Sequence, residues 1–320
     1  MNLRQLEIFV QVVELGGFSQ AARVLDVAQS HLSRQVRALE TDLHEALFLR
    51  NGRGVVTTEA GRRLYDHGVA ILQSVALARD DIGGARDEPA GSITIGLPPT
   101  IGRQLTVPLV DGFRRRMPRA RLAIVEGLSS HIVEWIAGGR VDIGLLYNPQ
   151  PQSTLAITPL LHEALCLVER VGTGVAIDGG PAGAAHRRPT FGSVPMASLA
   201  QLPLIVPERS HVIRRLLETQ AVLIGLKLDI AWEVSGIGSI IDLVCAGYGH
   251  AVLTASAVVA SGRADELQAR PLTDPPLASV LCLALAANKR PGPVMRHAAA
   301  LLTELVRSLP QATAAHSRPG

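Results

Sequence analysis

The sequence predicts an α/β protein with a small, mostly helical N-terminal domain and a larger domain of alternating strands and helices behind it. Three short segments before residue 45 carry apolar residues at helical spacing. Two apolar runs around a Gly-containing turn follow at 48–57, which is a hairpin signal. From Ser92 onward, short apolar runs alternate with helical segments, a pattern typical of parallel sheets with crossover helices. The length of 320 residues fits about two domains.

The N-terminal elements follow from apolar spacing and from turn residues. The first helix covers about 3–15 and ends at Gly16–Gly17, and Ser19 is expected to cap a short second helix. The third helix buries one face and leaves the other polar. The apolar positions are Leu6, Phe9, Val10 and Val13 in the first helix, and Leu32, Val36, Leu39 and Leu43 in the third.

A long helix should begin at Thr58–Glu59 and continue to about Ala85. Its apolar residues alternate at spacings of three and four, which favours coiled-coil-like pairing with a second copy through residues 59–86. The alternative is a helix that packs on its own domain. The seam positions are Gly61, Leu64, Gly68, Ile71, Val75, Ala78 and Ile82.

The boundaries we predict are an N-terminal domain at 1–58, a linker helix at 59–88, a larger domain at 92–310 and a disordered tail at 311–320. Residues 172–195 are rich in Gly and Pro and are expected to be a loose insert. Strands are expected near 93–97, 122–125, 141–146, 165–169, 204–206, 228–232, 251–254 and 279–287, with helices near 100–117, 132–137, 211–222, 239–245 and 294–309.

The composition excludes several classes of protein. The net charge of +3 does not by itself predict a polyanionic partner. No apolar run approaches the ~18 residues of a membrane span, and the polar N-terminus is unlike a secretory signal. Cys166, Cys245 and Cys282 lie far apart in apolar runs, which indicates reduced core thiols in a cytoplasmic protein without a zinc site.

Motifs for catalysis, cofactors and metals are missing from the sequence, so we expect neither an enzyme nor a bound cofactor. There is no G-x-S-x-G, C-x-x-C, H-E-x-x-H or Walker sequence. The run His162–Cys166 begins like a zinc-protease motif but ends in Cys, and we interpret it as the start of a strand.

The polar face of the third helix carries the functional signal. Three short helices followed by a hairpin predict a winged helix-turn-helix, whose third helix enters the major groove of DNA. Gln29 and Arg34 suit bidentate contacts to adenine and guanine, and Arg37 suits a phosphate. Ser30 and Ser33 are short enough to let the helix sit deep. Arg50 and Arg53 flank the turn of the wing and suit the backbone or the minor groove.

Five segments resemble the LysR-type transcriptional regulators: Leu6–Phe9, Gly17–Ala22, Ala28–Glu40, Leu47–Arg50 and Thr57–Gly61. Residues 92–149 look closest to the nitrogen assimilation control subgroup of that family. The sequence departs from the family at Ser30, where Pro is common, and Ala28 is a poor helix cap. Both departures concern operator preference.

The resemblance implies a dimerising linker helix, a tetramer on promoter DNA, RNA polymerase as a candidate partner and a C-terminal effector domain. That domain is similar to periplasmic binding proteins, with two lobes around a cleft. We expect lobe I at 92–163 and 268–310, and lobe II at 164–267. By the same resemblance, base contact is assigned to Gln29, Ser33 and Arg34 and wing contact to Arg53.

A cleft at the carboxyl ends of parallel strands is the default ligand site in such a domain. Helix N-termini there favour a small anionic effector, and the hydroxyl of Thr100 is expected to cap one of them. The alternatives are hydroxyls that only cap helices, a regulator without a ligand, a solute-binding protein, or an enzyme. The candidate residues are Thr100, Ile101, Ser129, Pro149, Pro207 and Arg209.

Overall fold

The computed structural model describes residues 1–51, 54–83, 90–172, 192–287 and 291–309. The N-terminal part contains α1 (Leu3–Glu14), α2 (Phe18–Leu25), α3 (Gln29–Leu43) and a hairpin of β1 (Phe48–Asn51) and β2 (Gly54–Thr57). The long helix α4 (Glu59–Gly83) follows. The three helices and the hairpin are those that the sequence predicts. The loose insert and the tail fall mainly or wholly outside the described residues.

The first residues of α1 and α2 show where the sequence rules for helix caps hold and where they fail. Asn2 caps α1 in a reciprocal box with Gln5, in which each side-chain oxygen accepts the other residue's N–H at 2.9 Å. The prediction that Ser19 caps α2 is wrong, because α2 begins one residue earlier, at Phe18, and Ser19 falls inside its first turn. Gly17 takes the cap position with φ +147°, a conformation that favours glycine.

The first half of the predicted seam in α4 packs on its own domain. A Cβ at Gly61 would collide with the carbonyl oxygen of Leu47, and Gly68 lies against Leu6 and Val10 of α1. Ile71 is 38% exposed, so the seam leaves the domain surface near this residue. Residues 61–68 of the helix therefore pack on their own domain, which was the alternative interpretation. Pairing of the rest of the seam with a second copy stays a prediction.

The larger domain begins with β3 (Gly91–Leu97), α5 (Pro99–Arg116), β4 (Ala120–Glu126), α6 (Ser129–Ala137), β5 (Ile143–Tyr147) and the long β6 (Leu155–Arg170). It continues through β7 (Val194–Pro195), a 3₁₀ turn (Met196–Gln201), β8 (Leu204–Val206), α7 (Val212–Leu223), β9 (Ile230–Glu233) and α8 (Ile237–Cys245). The last elements are β10 (His250–Thr254), α9 (Ala255–Ser261), β11 (Leu267–Thr273), β12 (Ala278–Ala286) and α10 (Pro293–Arg307).

The strands form two half-sheets that share β6, in the order β4-β3-β5-β12-β6-β10-β8-β9. Inside each lobe the predicted parallel pairs are present, β3 with β4 and β5, and β8 with β9 and β10. The pairs that involve β6 and β12 are antiparallel. The sheet is therefore mixed, because the chain crosses between the lobes on β6 and returns.

The sequence analysis places the first crossing between the lobes at 163/164, and the pairing of β6 changes partner at 164/165. β6 pairs with β12 up to Ala164 and with β10 from Leu165. The second predicted crossing, at 267/268, is too early, because β11 still pairs with the lobe II half of β6. The chain returns to lobe I after Thr273. The sequence did not predict this strand because Arg270 and Pro271 interrupt its apolar run.

In the part of the chain that the structure describes, no helix is both long and apolar enough to cross a membrane.

Candidate DNA interface and interlobe cavity

The recognition helix α3 presents its predicted polar face to solvent. Leu32, Val36 and Leu39 are buried on one side. Gln29, Ser30, Arg34 and Arg37 are exposed on the other, and Ser33 is half-buried. The structure thus groups the five predicted residues of α3 on one accessible surface. Their contacts with bases and phosphates stay a prediction.

The wing is described through its strands. Arg50 lies in β1, where its backbone pairs with Val55 of β2. Arg53 lies outside the described residues. The base of the wing packs on the helices, because the ring of Phe48 lies 5.3 Å from that of Phe9 and 5.4 Å from that of Phe18. The wing is therefore anchored on the core that supports α3.

A cavity of about 290 Å³ lies between the two lobes of the larger domain. Lobe I contributes the first turns of α5 and α6, and lobe II contributes the first turns of α7 and α8. Helix N-termini carry partial positive charge and free N–H groups. From these first turns, the lining includes Thr100, Ser129, Ser130, His211, Val212, Ile237 and Gly238.

Tyr147 joins the predicted residues on the cavity floor. Its hydroxyl donates to Glu163 Oε2 at 2.8 Å, and the hydroxyls of Thr100 and Ser256 lie close enough to act on its pKa. Its backbone N–H donates to Ser129 Oγ at 2.9 Å. Burial and the Glu163 carboxylate raise the pKa of Tyr147 well above its ordinary value, so the phenol stays protonated. Tyr147 of lobe I therefore lies beside the start of α9 of lobe II.

The predicted capping role of Thr100 is wrong. Pro98 occupies the cap position of α5, and Pro99 takes the first helical position. Thr100 is therefore the second residue of the helix, and its hydroxyl lies near that of Tyr147. The residue still lines the cavity, as does Ser129.

The structure places the other four candidates outside the cavity lining. Ile101 is fully buried in the core of the larger domain. Pro149 follows Asn148, whose side chain accepts from the N–H of Val280 at 2.6 Å and whose φ is +43°, and the chain turns away there. Pro207 is buried beneath α7, and Arg209 is exposed. These placements correct our expectation that all six residues meet at the cleft.

Sequence reasoning missed several charged or polar residues of the lining. Arg103 follows Thr100 by one turn of α5, and this spacing of three residues was a usable signal. Arg215 and Glu126 also reach the cavity. Ser279 is fully buried, and its Oγ has no hydrogen-bond partner among the described residues. Two guanidinium groups, four helix N-termini and the carboxylate of Glu126 thus face the cavity.

Metal and thiol chemistry find little support in the described part of the chain. It holds no group of three or more His, Cys, Asp or Glu side chains that could bind a metal ion. His162–Cys166 lies within β6, as the strand interpretation predicts. Cys166, Cys245 and Cys282 are buried and unpaired, and burial raises the pKa of Cys166 to about 11.

A winged helix-turn-helix joined to two lobes around a cavity defines a class of DNA-binding regulators that carry an effector domain. Protein-family models match both the DNA-binding part and the effector part of the chain. Residues 3–62 match the bacterial regulatory helix-turn-helix protein of the lysR family, and residues 86–307 match the LysR substrate binding domain. The chain belongs to the LysR family and is a DNA-binding transcriptional regulator with an effector-binding domain.

Relatives span nearly the whole chain. The nitrogen assimilation regulatory protein nac of Klebsiella aerogenes is 30% identical over 308 residues, which are 96% of this chain and 95% of that protein. The DNA-binding transcriptional dual regulator OxyR of Escherichia coli strain K12 is 26% identical over 308 residues, again 96% and 95%.

Solved structures show the same fold. A full-length OxyR variant from Pseudomonas aeruginosa aligns with a TM-score of 0.71 at 22% identity, over 96% of this chain and 95% of that one. CbnR in complex with its target DNA aligns with a TM-score of 0.67 at 20% identity, over 95% and 100%. The two-part architecture is thus shared with full-length regulators.

The cap of α7 predicts a pH dependence of stability. His211 Nδ1 accepts from the N–H of Ile213 at 3.3 Å, which requires a neutral ring. Burial lowers the pKa of His211 from 6.5 to about 4, Glu208 opposes this and Arg215 adds to it. Because the folded-state pKa is depressed, the stabilisation is complete above pH 6.5 and is lost as the pH falls toward 4. Its upper bound is about 3 kcal/mol.

Chemical denaturation between pH 7 and pH 4 measures this loss. His211→Asn keeps a capping side chain without a titrating group, so its free energy of unfolding should fall less steeply than that of the parent. His162→Asn removes an exposed histidine and serves as the control. Parallel curves for the parent and His211→Asn would show that His211 does not contribute.

Proposed function

We propose that the protein reads an interrupted inverted repeat in promoter DNA through α3. The exposed row of Gln29, Ser30, Ser33, Arg34 and Arg37, with buried apolar residues behind it, is the observation that carries this proposal. Gln29 and Arg34 contact base edges, Ser30 and Ser33 allow close approach, and Arg37 contacts a phosphate. Arg50 and Arg53 place the wing on the backbone or minor groove.

The half-sites are paired because the chain pairs through α4. Gly61 and Gly68 belong to the N-terminal core, so the pairing surface begins near the exposed Ile71 and runs toward Gly83. Two-fold proteins read two-fold sites. A tetramer would arise from two such dimers, with RNA polymerase as a further partner. The protein acts in the cytoplasm, with no enzymatic activity and no cofactor.

The effector is a small anion or polar metabolite held between the lobes. Arg103, Arg215 and the helix N-termini supply positive potential, and the hydroxyls of Thr100 and Ser129 supply orientation. A ligand that contacts both lobes favours the closed arrangement by its differential affinity for it. Of the six candidate residues, Thr100 and Ser129 keep this role, and the other four lie outside the lining.

Peroxide sensing through a thiol is disfavoured for this chain, although relatives include proteins named hydrogen peroxide-inducible genes activators. Reactive cysteines are exposed thiolates with lowered pKa values. Burial raises the pKa of Cys166, Cys245 and Cys282, and all three side chains are buried. We therefore infer that the signal is a bound molecule.

Arg34→Ala should weaken specific binding by about 1–3 kcal/mol and relax discrimination at one base pair in each half-site, because it removes a bidentate base contact. Mobility shifts on a duplex selected by the parent protein, and on a scrambled duplex, measure both effects. Arg115→Ala, an exposed arginine of lobe I, is the control and should bind like the parent. Equal affinity of Arg34→Ala and the parent for the selected duplex would refute the assignment.

Thr100→Val should lower ligand affinity and leave DNA binding without ligand nearly unchanged, since it removes a hydroxyl from the cavity and keeps the shape. The probe is the small organic acid that gives the largest thermal shift in a screen of the parent, measured by calorimetry. Thr106→Val lies on the same helix away from the cavity lining and is the matched control. If Thr100→Val binds the acid as tightly as Thr106→Val does, the ligand lies elsewhere.

A further inference from the structure

The carboxylate of Glu40 connects the recognition helix to the wing. Glu40 lies one turn beyond Arg37 on α3 and is half-buried. Its Oε1 accepts two backbone N–H groups, from Leu47 at 2.9 Å and from Phe48 at 3.3 Å. These are the last residue before β1 and the first residue of β1. A single side-chain oxygen therefore fixes the start of the wing strand to α3.

The same short segment is held on its other side by the start of α4. Thr58 Oγ1 donates to the carbonyl of Ala46 at 2.7 Å, and the N–H of Thr58 donates to the carbonyl of Leu47 at 3.0 Å. Gly61 has no room for a Cβ because it lies on that carbonyl. The Leu47 side chain is buried in the N-terminal core. Residues 46–48 thus form a clasp between α3 and α4.

The negative charge of Glu40 does not favour DNA binding. A carboxylate in a domain that binds a polyanion opposes binding, so its removal should strengthen the interaction with DNA. A carboxylate that accepts backbone N–H groups makes charge-assisted hydrogen bonds, which are stronger and more directional than neutral ones. The two hydrogen bonds from Leu47 and Phe48 therefore account for a carboxylate at this position, whereas its charge does not.

We propose that Glu40 is a positioning residue for DNA binding, which holds the wing and the recognition helix in one rigid arrangement through the N–H groups of Leu47 and Phe48. Arg50 lies two residues beyond Phe48 on β1, so an error at the clasp moves the wing arginine relative to Arg34 on α3. Loss of the clasp would cost affinity without removing any group that contacts DNA. The DNA contacts themselves are those of the proposed function.

Two substitutions separate reach from charge. Glu40→Gln removes the charge and keeps an oxygen at the position of Oε1, so both N–H groups remain bonded. Glu40→Asp keeps the charge and is one methylene too short to reach them. Glu45→Gln, at an exposed position just beyond α3, is the control for the effect of charge removal. The probe is the duplex that the parent protein enriches from a random-sequence library.

Glu40→Asp should bind this duplex about tenfold more weakly than the parent, which corresponds to the loss of two hydrogen bonds. Glu40→Gln should bind like Glu45→Gln. Amide hydrogen exchange at Leu47 and Phe48 should accelerate in Glu40→Asp and not in Glu40→Gln, with unchanged circular dichroism in both.

Parental affinity in Glu40→Asp, or an equal loss in both Glu40 variants, would overturn the proposal. Faster exchange at these amides without a loss of affinity would reduce Glu40 to a structural residue and would also overturn it. A failure of the wing contacts themselves is a separate outcome, since Arg50→Ala would then bind like the parent while the exchange result stands.

Discussion

The whole C-terminal half depends on β6, one strand that belongs to both lobes. Its first part pairs with β12 in lobe I and its second part with β10 and β11 in lobe II. A single strand of 16 residues, Leu155–Arg170, therefore carries both half-sheets and joins the lobes directly. The cavity lies between the two lobes that β6 joins. Glu163, beside the crossing, bonds Tyr147 on the cavity floor.

Tyr147, on the floor of the cavity, lies where the two lobes meet. Tyr147 belongs to lobe I through β5, and Ser256, whose hydroxyl lies near that of Tyr147, is the second residue of α9 of lobe II. Ser129 accepts from the N–H of Tyr147, and Thr100 lies near the hydroxyl of Tyr147, so both proposed ligand-binding residues lie beside this residue. In the N-terminal half the corresponding connection is the clasp of residues 46–48, which ties α3 to α4.

Much of the fold could be predicted from the sequence because apolar spacing is a local signal. The strand at Leu204–Val206 and the helices α3 and α7 lie where their patterns indicate. β11 was missed because Arg270 is paired with the buried Glu169, a partner 101 residues away that no local pattern reveals. The role of Thr100 as a cap was wrong because the helix begins at Pro99, which leaves Thr100 two positions beyond the cap residue Pro98.

The site was predicted in part for the same reason. Strand ends in a parallel sheet share an edge, and this rule found Thr100 and Ser129. It cannot tell which residues of each loop face the cleft, and Ile101 and Arg209 point elsewhere. The places of Ser279 and Glu40 could not be predicted because they are set by contacts with other segments of the chain. In Glu40 the partner N–H groups become available only because the chain reverses at His44, whose φ is +55°.

Selection of duplexes from a random-sequence library by the full chain measures whether paired winged domains read DNA with two-fold symmetry. We expect the sequenced pool to show two half-sites in inverted orientation, with centres separated by one helical turn of DNA, about 34–36 Å, or a multiple of it. Enrichment of a single half-site without an inverted partner, or no enrichment at all, would show that the winged domains do not read DNA as a pair.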